Sequence, residues 1–126
     1  MRSLAIVERA YRGAIEEQYA HVLWVVHCLR RVPEEIDLML RTPATLYACQ
    51  NQPHTQLQIG RITLDTLPRY ESTIENLLSD GVKVYVVKDD CNRLQIKVSQ
   101  LMQGVCALEH EQLPQIFEEY DHIWYW

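Results

Sequence analysis

Apolar residues along this chain fall into short β-branched runs separated by stretches with a period near 3.6, the pattern of strands alternating with helices. "SLAIVERA", residues 3–10, opens with a run suited to a short buried strand. Ile15, Tyr19, Val22, Leu23, Val26 and Leu29 then recur at helical spacing, and Arg30 and Arg31 lie where the dipole favours cations, so the pattern predicts a helix from Gly13 to Arg31. Trp24, His27 and Cys28 add a second stripe to that helix, which reads either as a wide core contact or as a subunit interface.

"IDLMLR", 36–41, is a second strand, and "TPATLYA" offers Thr42 as a cap and Pro43 at the first position of a short helix. The polar segment 49–60 has no clear period and reads as a surface loop. Leu64, Leu67, Tyr70, Ile74, Leu77 and Leu78 predict a helix within Arg61–Asp80, with Pro68 implying a break or a late start and "SDG" closing it. "VKVYVV", 82–87, carries the strongest strand signal. Helical spacing resumes through Leu94, Val98 and Leu101, followed by a strand at "VCALE", a helix at "HEQLPQIFEEY" and a terminal strand at "DHIWYW". Such alternation implies an α/β three-layer sandwich: a mainly parallel five-stranded sheet, joined by right-handed crossovers and flanked by helices. The 126 residues fit one domain, 1–126, able to bury its own core.

A net charge of -5 argues against a partner held through nucleic-acid phosphates. The longest apolar run, "HVLWVVHCL", is too short to span a membrane, and no signal segment is recognisable, so a cytoplasmic protein is expected. Four cysteines, Cys28, Cys49, Cys91 and Cys106, form no CxxC pair and are expected to be free thiols. A phosphate-binding glycine loop, a GxSxG elbow and a Walker-type lysine are all missing. The "EE" pairs at 16–17, 34–35 and 118–119 read as solvated helix faces, and His21, His27, His110 and His122 as surface or interface residues.

The candidate chemistry sits in "VKVYVVKDDCNRLQI", 82–96, because catalytic groups in parallel sheets collect beyond the carboxyl ends of strands. A helix starting near Asp90 or Cys91 would set the Cys91 sulfur by free N–H groups and the positive dipole end, which lowers a thiol pKa. Asp89 and Asp90 act in the opposite direction, and Asp90 is a good helix cap in its own right. Two readings stand: a reactive thiol, or a capping turn with an incidental cysteine.

Four stretches, "LAIVERAYRG", "IDLMLRTPATLYA", "GVKVYVVKDDCNRLQI" and "YDHIWYW", resemble in order and spacing the DsrE/DsrF/DsrH group of sulfur-relay proteins, which includes the TusB, TusC and TusD subunits. The resemblance covers most of the chain. It implies a five-stranded α/β domain in a homo-oligomer or a hetero-oligomer with related subunits. Carrier members take sulfane sulfur as a cysteine persulfide from a donor protein and pass it to an acceptor thiol, with no metal or organic cofactor. Their carrier cysteine falls where this chain has Val87, and Cys91 lies one helical turn later. The segment looks more like the DsrH/TusB form, with Gln95 in place of its glycine.

Three hypotheses follow. Cys91 is a persulfide carrier, with Arg93 stabilising a thiolate or orienting a partner. Alternatively, the chain is a non-catalytic subunit that assembles through the apolar helix and the aromatic "IWYW", where Trp124 and Trp126 share a face. The weakest alternative is a metal or thiol site at Cys49 and His54, with too few ligands for a standard zinc set.

Overall fold

A computed structural model describes residues 1–9, 26, 28, 35–52, 57–64 and 70–125. In chain order they form β1 (Arg2–Val7), β2 (Glu35–Leu40), a 3-10 turn at Ala44–Ala48 and the strands β3 (Leu57–Ile59) and β4 (Ile62–Leu64). Then come α1 (Tyr70–Ser79), β5 (Val84–Val87), α2 (Lys88–Arg93), a 3-10 turn at Val98–Gln100, β6 (Cys106–Leu108), another at His110–Gln112, α3 (Leu113–Glu118) and β7 (His122–Tyr125). The helix expected from Gly13 to Arg31 lies outside the described residues except for Val26 and Cys28, both helical. His54 and Trp126 also lie outside them.

Five strands make one sheet in the order β6-β5-β2-β1-β7, with every neighbouring pair parallel. Successive strand residues point to opposite faces. Ala5, Val7, Ile36, Leu38, Leu40, Val84 and Val86 enter one apolar cluster, together with Val26, Tyr47, Ile74 and Leu77. Leu4, Ile6, Met39, Tyr85 and Val87 enter a second, with Leu108, Leu113 and Tyr120. Both faces of the central strands are therefore covered, which is why β1, β2 and β5 read as nearly unbroken apolar runs rather than as alternations. Each fully buried leucine or methionine, such as Leu4, Leu38 or Met39, contributes about 1.5–3 kcal/mol of transfer free energy.

The order β1, β2, β5, β6 advances in one direction, and the described residues of those crossovers pack on the first face. The return from β6 to β7 crosses the second face through α3. Right-handed connections require this division of labour.

Three expectations need correction. The segment 49–60 is not all loop, because Leu57–Ile59 pairs antiparallel with Ile62–Leu64 around Gly60 at φ 61. Alternating apolar residues on either side of a two-residue turn form a hairpin, and helical spacing counted from Leu64 hid it. Among the described residues the following helix begins at Tyr70, the late start that Pro68 implied. Pro43 occupies the cap position of the 3-10 turn rather than its first residue, and the Thr42–Pro43 peptide is cis. The helical stretch after β5 begins at Lys88 and ends at Arg93, so "NRLQIKVSQLM" is not one helix. Gln95 at φ 57 turns the chain, with Ile96 N–H donating to the Cys91 carbonyl and Gln95 N–H to that of Asn92, the paired bonds of a Schellman ending.

Candidate functional site

The carboxyl ends of β2 and β5 lie side by side, since Leu40 pairs with Val86. The residue after β2 is Arg41, and Asp90 stands in the first turn of α2. Arg41 Nε donates to Asp90 Oδ2 at 2.7 Å, and the Thr42 N–H donates to the same oxygen at 3.3 Å. Burial opposes charge on Asp90, yet the hydrogen bond and positive charge of Arg41, with help from Thr42, outweigh it and hold the carboxyl below its ordinary value. Asp90 thus ties two crossovers together, and the cap expected of it falls instead to Val87, which has no capping side-chain bond. Farther along the same edge, Lys88 Nζ meets Glu109 Oε1 at 2.6 Å in an exposed pair.

Cys91 follows Asp90 within α2 and is buried, 2% exposed, in the first apolar cluster. The helix starts at Lys88, two or three residues earlier than expected, so Cys91 is its fourth residue, and the backbone hydrogen bond at its sulfur lowers the thiol less than its surroundings raise it. Burial pushes the Cys91 thiol above its ordinary value, and the nearby Cys49 and Asp90 push it further. Of the opposing influences expected at this position, burial and the neighbouring acidic groups outweigh the helix. Arg93 is exposed in the last turn of α2, on the solvent side of the residue it was expected to assist.

Cys49 was missed as a neighbour of Cys91. It follows the 3-10 turn after β2, bridges to Leu101 and packs, half-buried, against the same apolar cluster. Burial raises its thiol too. The available signal was topological: residues that follow β2 and β5 on the same face must meet if those strands are neighbours. All four cysteines are free thiols. Among the described residues, no three His, Cys, Asp or Glu side chains converge as a metal site.

At the carboxyl ends the chain leaves β5 over the first face and leaves β6 over the second, so the topological switch lies between these two strands, where Lys88 meets Glu109. Cys91 follows β5, one of the two strands that border it, but is buried on the first face. At the opposite, amino end of the sheet, Tyr120 Oη donates to Asp37 Oδ2 at 2.6 Å and lies 3.2 Å from Tyr85 Oη. The Lys83 N–H donates to Asp37 Oδ1, and the Arg2 guanidinium sits 5.0 Å from the centre of the Tyr120 ring. Burial and the Asp37 carboxylate drive the Tyr120 phenol far upward, so it stays a hydrogen-bond donor. This network closes one end of the second cluster.

No family model and no curated protein sequence matches the chain. Among solved structures, the crystal structure of the ychN protein from E. coli superposes with a TM-score of 0.72 at 18% identity, covering 100% of both chains. The fold is DsrE-like. MTH1491 from Methanobacterium thermoautotrophicum, a protein of unknown function, superposes at 0.67 with 10% identity, covering 97% of this chain and 96% of that one. At these identities the likeness carries the DsrE-like architecture alone. None of the described helices is long and apolar enough to cross a membrane.

Proposed function

We propose that this DsrE-like protein serves intracellular sulfur trafficking, holding sulfane sulfur as a persulfide on Cys91 within an oligomeric assembly. The carrying observation is the place of Cys91: one turn beyond the carboxyl end of β5, beside the Arg41–Asp90 pair and a second thiol. In loading, the Cys91 thiolate attacks the outer sulfur of a donor persulfide. The donor's S–S bond breaks, the donor leaves as a thiolate, and Cys91 becomes –S–SH. The sulfur changes hands without net oxidation, so the step calls for no cofactor.

Burial gives this site a defined character. A raised thiol pKa leaves little thiolate near neutral pH, which protects Cys91 from casual oxidants and makes loading depend on a donor that reaches the site. Arg93 is exposed on α2, which supports a role toward an acidic partner more than one toward the buried thiol.

Intact-mass spectrometry after incubation with a persulfide donor tests the reading. Wild type should gain about 32 Da, removable by reductant, and Cys91→Ser should lose the gain that maps to residue 91. An unchanged adduct pattern in Cys91→Ser would dismiss the assignment.

A second reading is favoured by β7, where Ile123, Trp124 and Tyr125 are 47%, 51% and 64% exposed on an edge strand. An apolar sheet edge suits a subunit that acts by association, without chemistry of its own. Absence of sulfur on any cysteine, combined with a stable oligomer in solution, would establish it instead.

A further inference from the structure

Resting on the sulfur-carrier reading, we infer that Cys49 is the entry thiol, receiving sulfane sulfur from outside and handing it inward to Cys91. The chain crossing from β2 and the chain leaving β5 converge on one face of the sheet, and each brings a cysteine to the same apolar cluster. Their exposure differs in the useful sense. Cys91 is 2% exposed, whereas Cys49 is half-buried, next to the polar surface of Gln50 and Asn51.

The nearness of the two thiols rests on that shared cluster, and the Cys91 thiol is raised by burial first, then by Cys49 and Asp90. The local backbone holds Cys49 in place: its N–H donates to the Leu46 carbonyl, and the flanking Gln50 and Ala48 bond across to Gln100 and Met102. The Cys91 carbonyl accepts from Ile96 N–H. A buried acceptor thiol with a half-buried one packed on the same cluster answers how a donor persulfide could load a cysteine so little exposed.

The sequence balances in two exchanges. The Cys49 thiolate attacks the outer sulfur of a donor persulfide R–S–SH; the donor S–S bond breaks, R–S⁻ departs and Cys49 carries –S–SH. The Cys91 thiol then gives its proton to the departing Cys49 sulfur as it attacks the same outer sulfur. The S–S bond at Cys49 breaks and that at Cys91 forms. One sulfane sulfur has moved, both thiols are accounted for, and no external oxidant is consumed.

The test uses the full chain with Cys28→Ser and Cys106→Ser, so that only the two thiols of interest remain, and glutathione persulfide as donor. Intact mass and peptide mapping should find the label first on Cys49 and later on Cys91. Cys49→Ser should slow labelling of Cys91 at least tenfold, and Cys91→Ser should trap the label on Cys49. Labelling of Cys91 at the parent rate in Cys49→Ser would overturn the entry role while leaving Cys91 as the carrier. Absence of label from both thiols would overturn the carrier reading and this inference with it. A measurement that leaves Cys49 intact guards against a folding defect: dibromobimane, which fluoresces once both its arms have reacted, should cross-link the two thiols. Failure to cross-link in the folded protein would show them too far apart for direct transfer.

Discussion

Arg41 and Asp90 form a charge pair whose acidic member is almost wholly out of water, with 3% of its side chain exposed. Removing Arg41 alone leaves a buried carboxylate held only by the long Thr42 N–H bond. Arg41→Ala should therefore cost about 3 kcal/mol in denaturant unfolding, and Arg41→Ala with Asp90→Asn should recover part of it. Because the folded state lowers the Asp90 pKa, the stabilisation is complete above the unfolded carboxyl value near about 4 and disappears as pH falls through the lower folded value. The stability gap between wild type and Asp90→Asn should accordingly narrow in acid and stay constant from pH 6 to 8. Cys91 has the opposite sign. Its folded thiol lies above the ordinary 9.0, so its contribution is present below that value and lost as pH rises past it. Alkylation of Cys91 by iodoacetamide at pH 7 should be slower than that of exposed Cys106, and the two rates should draw together in alkali. The position of Cys91 after β5 was legible from the apolar run and its acidic end. Its burial was not, since one residue's depth depends on which crossovers close over it.

At the scale of elements, strands were easier to read than helices. β1, β2 and β5 carry apolar side chains on both faces, so an error of one residue in register leaves the assignment intact. Short turns gave less signal. α2 has six residues, and its boundaries depend on Asp90 being drawn to Arg41 on another crossover, an interaction no local pattern reveals. The hairpin of β3 and β4 was obscured because "LQIGRITL" satisfies an alternating and a helical count together. Helix endings, by contrast, followed local chemistry. Gly81 at φ 87 ends α1, with Val82 N–H bonded to the Leu77 carbonyl and Gly81 N–H to that of Leu78. The equivalent left-handed position after α2 is held by Gln95 at φ 57, which costs a side-chain residue about 1–2 kcal/mol, partly offset by the greater unfolded freedom of glycine. Gln95→Gly should stabilise the protein by about 0.5–1 kcal/mol in urea titration. Gln95→Ala should give no gain of that kind.

The whole molecule is built outward from β1, which pairs with β2 on one side and with β7 on the other. The strand order required right-handed connections and five strands, both legible from alternation, but the choice of β7 as the second neighbour of β1 came from tertiary packing. Ile123, Trp124 and Tyr125 make that edge apolar and exposed. If the edge mediates self-association, Trp124→Glu should lower the assembly mass seen by sedimentation while leaving the far-ultraviolet circular dichroism of the monomer unchanged; an unaltered mass would assign the contact elsewhere. The same pairing has a consequence for biosynthesis. Arg2 N–H donates to Asp121 Oδ2, and Asp121 N–H to the Arg2 carbonyl, between residues 119 apart in sequence. Closing so long a loop is entropically slow, and it has to wait for residues 122–125 to leave the ribosome. Until then β1 offers a bare row of amides and carbonyls from Ser3 to Ile6 to any passing strand. A nascent chain paused before residue 121 is thus a template for mispairing, and chaperone demand should peak at that length.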